Sequence, residues 1–175
     1  GCGASTKIIA AALSMNKASG QSNVDHICIE PYLQPFLDNF ENIELIRSKV
    51  EDTDLELFGS LGPGDLLFID SSHIIRPGGD LLCEYLQIIP QLNSGVYCHV
   101  HDVFSPRDYP VDWISQKVLF WNEQYLLEAL LSNSSRYRII AALNFLKHDH
   151  YDALKLVAPF LSQSREPGSF FFEIV

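Results

Sequence analysis

The 175-residue chain has no cluster of basic residues, no long apolar run and no two cysteines close in sequence. Each absence removes a class of function. Binding phosphates takes gathered Lys and Arg, whereas the twelve here are scattered and the formal net charge is −10. A nucleic-acid partner is therefore not expected. No apolar run approaches the roughly 18 residues that a membrane span needs, and no signal-peptide pattern opens the chain, so no membrane partner is expected either. The four cysteines, Cys2, Cys28, Cys83 and Cys98, show no metal-ligand spacing. Cys28 and Cys98 lie inside apolar runs, where a free thiol behaves as a small hydrophobe. A reducing cytoplasm fits that usage. Internal repeats, low-complexity tracts and a second domain are absent as well.

What the chain does have is a core. Hydrophobic residues make up 47% of it, with eleven Phe and seven Tyr, enough for one well-filled domain spanning residues 1–175. Gly1-Cys2-Gly3 is the kind of turn that normally follows a buried strand, and no initiating Met precedes it. The expectation is a domain that is N-terminally incomplete and lacks its first strand. Such a strand would be central to the sheet, so upstream sequence, or a rearranged or swapped packing, is expected to cover the exposed edges.

Ile8, Ile9, Ala12 and Leu13 recur at helical spacing, with Ser5 or Thr6 as N-cap. His26 to Glu30 reads as a short buried strand stopped by Pro31, Gln34 to Asn39 as a short helix, Ile43 to Ser48 as a strand and Asp54 to Leu61 as a helix. After the turn Gly62-Pro63-Gly64, Asp65 to Asp70 is a strand ending in a carboxylate. Pro77-Gly78-Gly79 opens a helix to about Ile89, Gly95 to Val103 is a further strand, and Asn122 to Leu131 a helix. Tyr137 to Phe145 and Ser169 to Val175 read as the last two strands. Alternating strands and helices predict an α/β, Rossmann-like, mostly parallel sheet with helices on both faces. The irregular connection before the last strand predicts an antiparallel C-terminal edge pair.

Ligands of an open parallel sheet bind outside the carboxyl ends of its strands. The residues there are Gly1 to Ser5, Glu30, Glu51-Asp52, Asp70 to His73 and His101-Asp102, nearly all polar on otherwise apolar strands. Glycines between strand and helix let the backbone approach a ligand, and the helix start presents free N–H groups to an anion. Thr6 stands where a dinucleotide fingerprint wants a third glycine. Glu30 ends its strand where an acid can grip the two hydroxyls of a ribose.

These runs, Gly1-Cys2-Gly3-Ala4-Ser5-Thr6, Ile27-Cys28-Ile29-Glu30-Pro31 and Leu66-Leu67-Phe68-Ile69-Asp70, resemble the class I S-adenosylmethionine-dependent methyltransferases. Phe68 to His73, His99 to Val103 and Trp121 to Leu127 are similar to a bacterial branch of small-molecule O-methyltransferases. The resemblance implies S-adenosylmethionine as cofactor. Gly1, Cys2, Gly3 and Ser5 would hold its methionine part, Glu30 its ribose, and Glu51 or Asp52 its adenine, with Asp70 and Ser72 also at the cofactor. Two adjacent acids after a strand are equally the entry to a helix, with Asp52 or Asp54 as N-cap.

Two mechanisms stay open. Asp70 and Asp102 end strands expected to be adjacent, and converging carboxylates suit Mg²⁺, which would lower the pKa of a substrate hydroxyl. Alternatively His73 or His101, beside Asp102, takes the hydroxyl proton as general base. His99, deeper in its strand, reads as a packed core residue. The aromatic loop from Phe104 to Trp113 is either a substrate lid or an anchored surface loop. The expected partner is a small hydroxylated molecule, a sugar or secondary metabolite, and a homodimer is compatible with this reading. The competing functions are a nicotinamide-dependent oxidoreductase and a non-catalytic domain of the same fold.

Overall fold

The computed structural model describes residues 3–20, 24–32, 34, 35, 37, 40 and 43–175. The fold is mixed α/β of the Rossmann-like class, and it forms two compact units, residues 1–53 and 54–175. In the first unit, α1 (Ala4–Ala18) starts after Gly3, whose φ of 74° turns the chain through the left-handed region. Gly3, not Ser5 or Thr6, is the N-cap, and its carbonyl accepts from the Lys7 N–H at 3.1 Å. A cap without a side chain fits there because the turn demands a positive φ. β1 (Ile27–Ile29) and β2 (Glu44–Ile46) pair in parallel, Cys28 opposite Leu45. Of the helix expected over residues 34–39, Phe36, Asp38 and Asn39 lie outside the described residues. The remainder shows a single turn, in which the Leu37 N–H donates to the Gln34 carbonyl at 2.9 Å.

The second unit holds a sheet in the order β3 (Leu66–Ile69), β4 (Tyr97–His101), β6 (Ser169–Ile174), β5 (Tyr137–Ala142). β3 and β4 run parallel; β4 with β6 and β6 with β5 run antiparallel, so the C-terminal edge pair is as expected. Alternation along the strands gives the sheet two different faces. Cys98, Val100, Phe170, Phe172 and Ile174 turn one way and are buried. On the other face, Phe68, His99 and Phe171 form a row across three strands, with ring centroids 4.7 and 4.1 Å apart. His99 is therefore a packed ring, and burial drives its pKa down to about 4, keeping it neutral.

Helical segments fill in around these strands. α2 (Glu56–Gly59) begins after Asp54, whose Oδ1 accepts from the Glu56 N–H at 3.0 Å. α3 (Asp80–Cys83) continues through a wider turn over Glu84–Ile88 and a tighter one over Ile89–Gln91, burying Leu81, Tyr85, Ile88 and Ile89. The loop after β4 includes α4 (Val111–Ser115), and α5 (Glu123–Leu131) follows it. The strand expected to reach Phe145 stops at Ala142, where the chain turns into α6 (Leu143–Asp149) and then α7 (Tyr151–Val157). Asn144 and Lys147 become buried there, and both bond to Glu166, the Lys147 Nζ at 2.7 Å. A continued strand would have left those two polar groups without that partner. Among the described residues no helix is long and apolar enough to cross a membrane.

Phe172 is fully buried at the centre of β6, opposite Cys98 on one side and Ile139 on the other. Phe172→Ala should destabilise the protein by about 3–5 kcal/mol, read as a lowered urea midpoint at unchanged slope; a loss under about 1 kcal/mol would contradict this packing.

Candidate functional site

The site of the second unit follows from the parallel register of β3 and β4. Phe68 lies opposite His99 and Ile69 opposite Val100, so Asp70, His101 and Asp102 leave the sheet at the same end. Two residues there hold left-handed backbone angles, His73 at φ 61° and Asp102 at φ 57°. His and Asp tolerate this region better than most side chains, and such strain persists only where the surroundings impose it. The turns bring the groups together. His73 Nε2 stands 3.6 Å from Asp70 Oδ1 and 3.8 Å from Asp102 Oδ2. His101 Nδ1 lies 3.2 Å from Asp102 Oδ1 and 3.9 Å from Asp70 Oδ1.

His73 is only 6% exposed, and several elements hold it. Its Nδ1 is 2.6 Å from Glu123 Oε2 at the start of α5, and the Tyr85 hydroxyl donates to Glu123 Oε1 at 2.8 Å. The Trp121 ring covers the imidazole at 4.2 Å. The Asn122 N–H donates to the His73 carbonyl at 3.0 Å, and Asn122 Oδ1 accepts from the Ile75 N–H at 2.7 Å. Burial by itself would lower the His73 pKa, but Asp70 and Glu123 outweigh it and raise it to about 9. The same contact with His73, opposed by partial burial, holds Asp70 below its ordinary value. Asp102 raises the pKa of His101, against burial.

A divalent cation has a donor set here. Asp70, His101 and Asp102 each offer a ligand atom, all within 4.8 Å of one another. His101 Nδ1 is buried without an aligned hydrogen-bond partner, as a nitrogen with a coordination role would be. Two carboxylates suit Mg²⁺, and the imidazole broadens the set toward ions that accept nitrogen.

Of the other expected residues, Ser72 stands in the turn after β3. Its N–H and hydroxyl both donate to Asp80, at 2.8 and 2.7 Å, so this side chain shapes the turn after β3. Gly3 and Ser5 stand at the start of α1, Glu30 directly after β1, and Glu51 and Asp52 in the single turn Val50–Asp52. All five belong to the first unit. Glu30 Oε1 accepts from the Tyr32 N–H at 2.9 Å, which fixes the direction of the carboxylate. Gly1 and Cys2 lie outside the described residues.

Several residues of the site were not singled out by sequence. Glu123 reads as an acid in the first turn of a helix, usually a solvated position. Glu84 and Tyr85 read as ordinary helix residues, yet all three are buried. The Ser71 hydroxyl donates to Glu84 Oε2 at 2.8 Å. Gly168 packs so tightly that a Cβ there would lie 2.9 Å from the Asp102 Cα. The loop after β4 is an anchored one: Phe104 and Tyr109 are buried, and Trp113 packs edge-on against both Phe104 and Trp121 at 5.1 Å.

A family model described as a methyltransferase domain matches residues 1–103. No curated protein matches the chain. Among solved structures, the chain is similar to the plantazolicin methyltransferase BamL, determined in complex with a triazolic desmethylPZN analog and SAH. The two are 14% identical with a TM-score of 0.45, over 94% of this chain and 73% of that one.

Two predictions follow from the packing of the site. Burial pushes the Glu84 carboxyl up to about 8, against the Ser71 hydrogen bond, so it is protonated in the folded protein at neutral pH. A folded-state pKa above the unfolded one gives stability that is present at low pH and lost as pH rises from about 4.5 to 8. Glu84→Gln should therefore melt higher than the wild type at pH 8, with the difference closing toward pH 4.5; an equal difference at both ends would refute the assignment. Gly168→Ala should displace Asp102, visible as shifted amide resonances for residues 101–104 in an otherwise native spectrum.

Proposed function

The chain belongs to the methyltransferase-domain family, and on that premise we propose that it is an S-adenosylmethionine-dependent methyltransferase acting on a hydroxyl of a small molecule, a sugar or secondary metabolite. The convergence of Asp70, His73, His101 and Asp102 at the carboxyl ends of two adjacent parallel strands carries this reading. In such folds that end of the sheet is where ligands bind.

The chemistry required is modest. The acceptor O–H gives up its proton, the oxygen attacks the methyl carbon in line, and the carbon–sulfur bond breaks to leave neutral S-adenosylhomocysteine. Positioning accounts for much of the acceleration. His73, with a pKa near 9, already carries its proton at neutral pH and serves to hold the two carboxylates. The proton then passes to the pair formed by His101 and Asp102, of which His101 is the more open to solvent. In the alternative mechanism, a divalent ion such as Mg²⁺ held by Asp70, His101 and Asp102 would replace that base, supplying Lewis acidity that lowers the pKa of the acceptor hydroxyl so that its proton leaves to water.

For the cofactor, this reading gives Gly1, Cys2, Gly3 and Ser5 the methionine part, with its carboxylate at the N-terminus of α1. Glu30 takes the ribose and Glu51 or Asp52 the adenine. Trp113 and Trp121, linked to His73 through ring contacts, would form the wall against which a flat acceptor stacks. The scattered basic residues and net charge of −10 support a reading with no nucleic-acid partner. The proposal also includes a single domain, a cytoplasmic setting and no membrane partner, and it admits a homodimer.

Calorimetry with S-adenosylhomocysteine and with NAD⁺ tests the premise: the first should bind and the second should not, and a response to the dinucleotide alone would overturn it. Glu30→Ala should weaken S-adenosylhomocysteine binding by about 10-fold to 100-fold, the worth of hydrogen bonds to a charged group. For the metal, labelled-methyl transfer to a panel of sugars and phenols should fall on chelation and in Asp102→Ala. Transfer that survives both would exclude an essential ion at Asp102.

A further inference from the structure

We infer that Glu123 is a positioning residue, which fixes the ring orientation of His73 so that Nε2 is the nitrogen presented to Asp70 and Asp102. This role rests on the reading of that centre as the site of methyl transfer. Glu123 is fully buried, and an ionised carboxylate can only accept hydrogen bonds. One oxygen takes the Tyr85 hydroxyl at 2.8 Å and the other faces His73 Nδ1 at 2.6 Å. Both oxygens are thereby engaged, and the proton between Glu123 and His73 belongs on Nδ1. The remaining ring nitrogen, Nε2, is the one that reaches the two strand-end carboxylates, at 3.6 and 3.8 Å.

The surroundings leave the ring one place to be. Trp121 covers its face at 4.2 Å, and residues 121, 122 and 123 in succession contact the ring, the carbonyl and Nδ1 of the same histidine. The segment entering α5 thus grips His73 from three directions. Tyr85 anchors Glu123 from the helical segment after α3. The chain of contacts runs from Tyr85 through Glu123 and His73 to Asp70 and Asp102, and only its last members stand where substrate can reach. A buried partner that holds one ring nitrogen also sets where the other nitrogen and its N–H point.

The test uses the full chain labelled with ¹⁵N-histidine, with spectra that correlate ring nitrogens and ring protons. His73 is assigned by the signal lost in His73→Gln. The wild type should show a protonated Nδ1 in slow exchange. In Glu123→Gln that proton should exchange at least about tenfold faster, because a charge-assisted hydrogen bond of roughly twice the neutral strength has been replaced. A folded Glu123→Gln protein with an unchanged His73 pattern would overturn the inference. Should that variant not fold, Tyr85→Phe decides: a shifted His73 Nδ1 proton supports the inference, and an unshifted one refutes it. S-adenosylhomocysteine calorimetry runs in parallel. Failure of the wild type to bind counts against the methyltransferase reading, while the ring spectra judge Glu123 independently.

Discussion

A carboxylate taken fully out of water has to be paired, because its desolvation costs several kcal/mol. Glu123 meets that constraint with a tyrosine hydroxyl and a histidine, and much of the site depends on how it does so. The histidine must come to the buried carboxylate, so the chain after β3 turns through a left-handed residue to deliver it. The ring then needs a covering, which Trp121 provides. Its other nitrogen is left facing the sheet, where the strand-end carboxylates collect around it. A polar centre is thus built outward from an interior pair.

β4 supplies the other half of the geometry. It is paired on both sides, parallel to β3 and antiparallel to β6, and its alternating side chains divide between a fully buried face and the aromatic row through His99. With that strand fixed, the position of Asp102 is set by the residue that follows it and by Gly168, where the approach of the backbone leaves no room for a side chain. The Val103 N–H donates to the Gly168 carbonyl at 2.9 Å, which ties the two segments directly behind the carboxylate.

The strands and their terminal acids were legible in the sequence because their signals are local. Short apolar runs such as Leu66 to Ile69 and Tyr97 to His101 end in polar residues, and a parallel sheet turns that pattern into a shared edge. Other features depended on contacts between distant segments. Glu84, Tyr85 and Glu123 look like ordinary helix positions, and burial is conferred on them by tertiary packing. The hydrogen bonds of Ser72 to Asp80 likewise form only when the turn after β3 folds. Tyr137 to Phe145 is apolar apart from Arg138 and Asn144, and a short, mostly apolar run does not reveal where a strand gives way to a helix. The bonds of Asn144 and Lys147 to Glu166 decide that boundary.

The pairing of β4 with β6 carries a consequence for how the protein is made. Strand β6 is synthesised well after β4, with α4 to α7 and β5 between them. During that interval one edge of β4 has no neighbour, and closing so distant a pair is a slow step in folding. The stretch from Tyr97 to His101, with Asp102 directly after it, therefore keeps an unpaired backbone edge until β6 arrives. The centre comes into being only when the sheet closes, so a partly translated chain carries its components without the arrangement.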